Sequence, residues 1–348
     1  MLSKLDHFLA RNQKRLFIGF LLLYLPISLG TLVYSPLPWY DETYMASIAL
    51  EFNQTGKFTP GVAYHAVDGQ EDLVYGPLFF LIISTVYQLF GFGVFQYRMV
   101  AWLSGMLVLW LTMKLFQSKT EKKGRGFLVF ALMAIDPFYL RCTHEGRNDL
   151  TTIAFLLGSL WLFLRFTQKE KSDEEKSWLP ILFSGLLTGL AVLTTPRIGI
   201  LFFGYGLLWL QFFFRNKKRS ISAFALWLVP ILIPYLAWYL YAFENWEHFI
   251  SFYTQKMVGY TRLGEHPYYI PKQQYPLILA GFASMLIGML RLKKDFFHPL
   301  IIFSIVSVIL FYLLVYDNGP YAVFIVPSFY LLLFFAGEPT RKKTVYDI

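Results

Sequence analysis

The chain is 348 residues long, 56% apolar, 20% aromatic and only 15% charged. A soluble domain runs near about 45–50% apolar and a quarter charged, and the excess here is spread over the whole length, which excludes a soluble enzyme and a protein held by a single anchor. The net charge of +9 is no sign of nucleic-acid binding, because the Lys and Arg fall in clusters between apolar stretches, and the lone Cys142 excludes an internal disulfide or a cysteine metal cluster.

The basic start, with Lys4, Arg11, Lys14 and Arg15, leads into a retained first span over 16–34. The segment 35–98 follows outside the membrane. In it, Asp41 and Glu42 open a short helix whose apolar positions Tyr44, Met45, Ile48, Ala49 and Phe52 recur at helical spacing. Residues 76–95 are apolar enough to cross. A full crossing would place residues 119–125 outside and invert every later loop. A re-entrant dip instead keeps all the basic clusters (4–15, 114–125, 165–176, 215–219, 291–294 and 341–343) on the cytoplasmic side, as Lys and Arg prefer.

The re-entrant reading predicts spans at 16–34, 99–116, 127–141, 150–166, 178–195, 198–214, 221–243, 274–290, 298–316 and 320–336. The expected fold is an all-α polytopic membrane protein. It has about ten transmembrane helices, with interfacial or re-entrant helices in the first external loop. Residues 1–348 form a single domain with a second long external loop at 244–273, no separate soluble domain and both termini cytoplasmic.

The chemistry-bearing residues gather on the external side. Asp41 and Glu42 sit together at the membrane boundary, where carboxylates can deprotonate a hydroxyl or hold a cation; capping an interfacial helix is the plainer reading. The turn at 136–149 holds Asp136, Arg141, Glu145, Arg147 and Asp149 beside His144. Ionisable groups at a bilayer edge are paired, solvated or functional, so this turn is either an ion-pair lock or an active-site wall. Arg197, after Thr194-Thr195-Pro196, offers a planar fork to a phosphate or merely snorkels to headgroups. Tyr75-Gly76-Pro77 begins the re-entrant stretch, and Lys256 and Arg262 stand in the late loop among tyrosines. There is no phosphate-binding loop, zinc helix or nucleophile elbow, and the histidines lack ligand spacing.

The order and sidedness of these motifs resemble the polyprenol-phosphate-dependent glycosyltransferases of the C superfamily, nearest to protein O-mannosyltransferases and lipid A aminoarabinose transferases. An external Asp-Glu pair follows the first span, then a Gly-Pro-Leu stretch, then Glu-Gly-Arg-Asn-Asp before the fourth span. The resemblance covers the first 200 residues. It implies a sugar donor on a polyprenyl phosphate, transfer with inversion, Asp41 as general base and Asp149 as the second acidic site. Tyr75-Gly76-Pro77 departs from the family, where a Lys or His before Pro-Pro is common.

On this reading Asp41 takes the proton of the acceptor, while Glu42 and Glu145 position it. Arg147, Arg197 and one of Lys256 or Arg262 neutralise the departing phosphate. No cofactor is required, although an Asp41/Asp149 pair around a divalent cation such as Mg or Mn stays open. The expected partners are the lipid-linked sugar, a lipid, glycan or protein acceptor, and membrane lipids, with no nucleic acid. The expected location is a bacterial plasma membrane with the site on its external face. The rival is a transporter or lipid flippase, but transporters place ionisable residues near the midplane, and here they crowd one boundary.

Overall fold

The computed structural model describes residues 2–38, 40–61, 75–118, 120, 122–168, 177–195, 198–243, 245–251, 303–309 and 320–336. The expected span at 274–290, most of that at 298–316, the loop beyond residue 251, and Arg197, Lys256 and Arg262 lie outside the described residues.

Among the described residues the chain is helical: α1 (Leu2–Thr31), α2 (Tyr40–Thr55), α3 (Pro77–Phe90), α4 (Val94–Gln117), α5 (Arg125–Ala134), α6 (Pro137–His144), α7 (Asp149–Gln168), α8 (Leu179–Thr194), α9 (Gly199–Arg215) and α10 (Lys217–Ala242), then a 3-10 turn (Pro320–Ile325) leading into α11 (Val326–Ala336). Four of these, α1, α4, α7 and α10, are long and apolar enough to cross a membrane alone. This is the all-α membrane architecture expected from the sequence.

Three elements differ from expectation. α1 starts at Leu2 rather than 16, because the basic segment is helix-forming and Asp6 has partners. Its carboxylate accepts from Arg125 Nε at 2.6 Å and lies 2.9 Å from Lys122 Nζ. The third span is not one helix. α5 and α6 meet at 64°, because Pro137 lacks the amide that would continue α5, and Asp136 caps the new helix by accepting from Tyr139 N at 2.8 Å. Finally, α9 and α10 are separated by Asn216 alone, whose side chain accepts from Arg219 N at 3.3 Å.

Ties at both ends of α1 fix how it lies against α4. Asp6, near its start, meets Arg125 just beyond the end of α4. Leu32 and Pro36, just after its end, offer their carbonyls to Arg98 Nη1 at 2.9 Å each, in the first turns of α4. α1 and α4 are therefore antiparallel, and the chain carrying α2 and α3 leaves and returns at one end of the bundle. α3, with 14 residues, is about 21 Å long against a hydrocarbon core of about 30 Å. Gly91, at φ +81°, reverses the chain into α4 with its amide bonded to Tyr87 O at 2.9 Å.

The helices pack on small residues. A Cβ on Gly185 of α8 would fall 2.1 Å from Trp227 O of α10, and one on Gly189 would fall 2.8 Å from Pro230 O; this is the close approach that small-xxx-small spacing permits. Ser159 of α7, Ser184 and Thr188 of α8 and Tyr205 of α9 satisfy one another at 2.7–2.9 Å in a buried hydroxyl cluster. α2, the segment just after it and α3 carry a second core of their own, including Met45, Ile48, Phe58, Phe79, Phe80 and Ile83, which seats against Tyr97, Leu193 and Trp238. Two ends result. One bears Asp6 and the Lys122 and Arg125 turn; the other bears α2, Arg98 and the turn between α6 and α7.

Candidate active site

The second end gathers the acidic residues. Asp41 and Glu42 stand in the first turn of α2, where a helix dipole favours negative charge. Successive helical residues diverge by about 100°, and the two carboxylates part accordingly. Glu42 turns into the bundle, with 4% of its side chain exposed, whereas Asp41 keeps 34% of its side chain exposed.

Glu42 is fully engaged. Arg98 donates to it through Nε at 2.9 Å and Nη2 at 2.7 Å, and the Gly146 amide donates to Oε1 at 2.6 Å. Arg98 has no exposed surface. Its remaining bonds to Leu32 O and Pro36 O make it the joint of α1, α2 and α4. Such a bidentate pair is geometrically specific, and out of water its loss on one side is costly. The Gly146 amide reaches Glu42 because that residue has no side chain: a Cβ there would fall 1.9 Å from the Tyr97 ring.

Arg147 links the other two acids. It donates through Nη1 to Asp41 Oδ2 and through Nε to Asp149 Oδ2, both at 2.7 Å. With 3% of its side chain exposed, it is a buried bracket rather than a surface cation. Asp149 is equally buried and opens α7, again at a favourable helix start. A cation shared by Asp41 and Asp149 would have to displace this guanidinium. Among the described residues, no group of three or more His, Cys, Asp or Glu is placed to hold a metal ion.

The turn's remaining ionisable groups are paired too. Arg141 Nε donates to Glu145 Oε1 at 2.6 Å, with Arg141 more than half exposed and Glu145 buried. Burial pushes the Glu145 carboxyl above its ordinary range, against the opposing pull of Arg141. Asp136 caps α6 and accepts from Tyr330 OH at 3.1 Å. His144 lies against α1, its Nε2 at 2.9 Å from Ser28 O. The turn is an ion-pair lock, and it carries one exposed carboxylate on its margin.

α3 and α8 close the other side. A Cβ on Gly76 would fall 1.9 Å from Leu193 O, so Gly76 lets the chain entering α3 lie directly on the end of α8. Tyr75 is thereby held half-buried, edge-on to Phe80 at 6.4 Å. Asn148 Nδ2 donates to Thr194 O at 3.2 Å, joining the head of α7 to the tail of α8. Of the residues singled out from the sequence, the structure brings together Asp41, Glu42, Glu145, Arg147 and Asp149, and sets Tyr75 on the α3 side.

Sequence reading missed Arg98, Gly146 and Asn148. Arg98 had a legible signal, as a lone cation inside an apolar run at a span boundary. The other two act through a backbone amide and an amide side chain, which hydropathy does not register. Asn53 also has a structural task. Its Nδ2 donates to Ser84 O at 3.0 Å, and its Oδ1 accepts from Gln88 Nε2 at 2.7 Å and from the Ser84 hydroxyl, clamping α2 to α3.

Residues 75–238 match the family model described as dolichyl-phosphate-mannose-protein mannosyltransferase. No curated protein sequence matches the chain. Among solved structures, ArnT from Cupriavidus metallidurans bound to undecaprenyl phosphate is similar at a TM-score of 0.67 and 19% identity, covering 91% of this chain and 60% of ArnT. The same protein in the apo state gives 0.64. The archaeal oligosaccharyltransferase AglB from Archaeoglobus fulgidus, in complex with an inhibitory peptide and a dolichol-phosphate, gives 0.55 at 14% identity over 92% of this chain and 50% of AglB. The chain thus spans about 60% of the length of the ArnT structures it matches. The resemblance read from its motifs is borne out in the fold and, over residues 75–238, in the sequence. The chain is an integral membrane protein of this architecture.

Proposed function

We propose that the chain is a membrane glycosyltransferase that moves a monosaccharide from a polyprenyl phosphate to a lipid, glycan or protein hydroxyl, with inversion at the anomeric carbon. The observation that carries this reading is the contrast among the clustered acids. Glu42, Glu145 and Asp149 are buried and bonded to arginines, while Asp41 is oriented by Arg147 through one oxygen and stays a third exposed. A base must reach its substrate, and Asp41 is the carboxylate of this group that can.

In the reaction, Asp41 takes the proton of the acceptor hydroxyl. That oxygen attacks the anomeric carbon from the face opposite the phosphate, the bond from that carbon to the phosphate oxygen breaks, and polyprenyl phosphate leaves with the electron pair. Arg147, with Asp149 behind it, holds the base in line; this moves Arg147 from the phosphate, where the sequence reading put it, to the base. Glu42 acts through Arg98 and Gly146 as the brace of the α2 start. Arg197, with Lys256 or Arg262, is the proposed cation set for the departing phosphate, and a required metal is no part of the scheme.

The positive-inside tendency supports a cytoplasmic placement for the end bearing Lys122 and Arg125. The acid-bearing end then faces outward, where a lipid-borne donor meets an aqueous acceptor. The transporter reading is disfavoured because the buried polar groups at the α7–α8–α9 contact, among the described residues, are the hydroxyls of Ser159, Ser184, Thr188 and Tyr205 and the Trp209 indole, whereas a transport path would ask for charged groups at that depth. The deciding experiment is mass spectrometry of envelope glycolipids, glycans and proteins from cells with the wild-type gene, with none, and with Asp41→Asn. The reading requires one monosaccharide to be lost from one product class in both of the latter. Identical profiles in all three would overturn it.

A further inference from the structure

At the end of the bundle away from Asp41, the hairpin of α9 and α10 holds a groove of about 460 Å³, lined chiefly by Phe202, Gly206, Trp209, Phe213, Phe224 and Trp227. Its floor is open at Gly206, where nothing lies within 4 Å of the place a Cβ would occupy. The surrounding side chains Phe203, Leu210, Phe214 and Ile221 are each more than half exposed, so this face looks toward lipid. At the rim, Lys217 Nζ stands 6.0 Å from the Phe213 ring centre, and Arg215, Lys217 and Lys218 are all exposed.

One further group points to a ligand. Trp209 is only 7% exposed, and its indole N–H meets no acceptor among the described residues. A buried donor left unpaired in an apolar setting is costly. Trp209 lies six residues before Arg215, about 9 Å deeper along the helix at about 1.5 Å per residue. A phospholipid whose phosphate sits at the basic turn places its ester carbonyls just below, and its acyl chain deeper still. The three features of the groove match that sequence of phosphate, carbonyl and hydrocarbon.

We propose that this groove is a binding site for one anionic phospholipid of the bilayer, with its phosphate on Arg215, Lys217 and Lys218, an ester carbonyl accepting from Trp209, and one acyl chain along Gly206. Charge favours an anionic lipid over a zwitterionic one, since each Lys or Arg near the surface adds attraction for it. The site uses none of the residues placed around Asp41 and does not depend on the proposed reaction.

The test is native mass spectrometry of the full chain in neutral detergent, titrated with phosphatidylglycerol or phosphatidylcholine of the same acyl composition. One phosphatidylglycerol should be retained in preference to phosphatidylcholine. Gly206→Leu, which fills the floor with a better helix former, should abolish the retained lipid while the protein elutes as before. Lys217→Gln with Lys218→Gln should lower the preference by roughly fivefold per charge, and this variant decides the matter if Gly206→Leu does not fold. Equal retention of both lipids by the wild type, or a preference unchanged in the double Gln variant, would overturn the proposal. So would a Gly206→Leu protein that folds and keeps its lipid, one that loses a dimer rather than a lipid, or displacement of phosphatidylglycerol by equimolar undecaprenyl phosphate.

Discussion

Asp41 and Glu42 are neighbours in sequence with opposite environments, and their amide variants should fail in different ways. Asp41→Asn keeps the size of the side chain and can still cap α2, but it lacks the basicity a proton acceptor needs. A positioned base contributes about 10²–10⁴ in rate, so sugar transfer should fall by that factor with expression and donor binding retained. Transfer near the wild-type rate would leave Asp41 a helix cap. Glu42→Gln instead strands the Arg98 charge where it has no exposed surface. Breaking a buried pair costs about 3–5 kcal/mol, and the loss should appear as a lower melting temperature and yield. A Glu42→Gln protein as stable as the wild type would show that Arg98 does not need its carboxylate.

Glu145 gives a pH-dependent counterpart. Burial raises its carboxyl above the ordinary 4.5, so the folded chain binds that proton more tightly than the unfolded chain does. The resulting stability is complete below the unfolded value and is lost as pH rises through the folded one. Glu145→Gln does not titrate. The melting temperature of the wild type, less that of the variant, should therefore decline as pH rises above the ordinary 4.5. A difference that grows over that rise would mean that Arg141 outweighs burial.

At the scale of elements, glycines set how closely the pieces of the site approach. Gly76 lies on the backbone of α8, which no rotamer change can move aside, so Gly76→Ala should separate α3 from α8 and cost both stability and transfer. Gly19→Ala, where nothing lies within 4 Å and the residue is inside α1, serves as the control and should not destabilise, since Ala is the better helix former. Equal behaviour of the two would remove close packing as the reason for Gly76. The elements also show what a sequence can disclose. Apolar runs gave α4, α7, α8 and α9 to within about five residues, although α8 and α9 are shorter than a lone crossing needs, because polar and charged residues bracket each run. The break at Pro137 was not anticipated, since a hydropathy window averages over a cap and a missing amide. The basic half of α1 was missed for a different reason, as its helix continues past the apolar run and its Asp6 is held by residues more than a hundred positions away.

For the molecule as a whole, the ties at both ends of α1 make a topological statement that labelling can check. Lys122 contacts Asp6, so both belong to one side, and the positive-inside tendency makes that side cytoplasmic. Lys122→Cys in a protein lacking Cys142 should react with a membrane-impermeant thiol reagent only after permeabilisation. Labelling of intact cells would move Asp41 to the cytoplasm along with the rest of the acidic cluster. The clustering itself was legible, because charges avoid the hydrocarbon and so collect at its borders. Which charge pairs with which was not, because Arg98–Glu42 and Arg147–Asp41 join residues 56 and 106 positions apart and depend on the packing of α1, α2 and α4.

Those separations share a direction. In each long-range ion pair among the described residues the carboxylate comes first in the chain and its cation later: Asp6 before Arg125 by 119 positions, Asp41 before Arg147 by 106, Glu42 before Arg98 by 56. A chain made from its N-terminus therefore presents each acid to water while the helices behind it are still unmade, and each arginine emerges to a partner already waiting. In order of emergence from the ribosome, the cation of Glu42 comes first, that of Asp6 next and that of Asp41 last, after four further helices, α3 to α6, have been made.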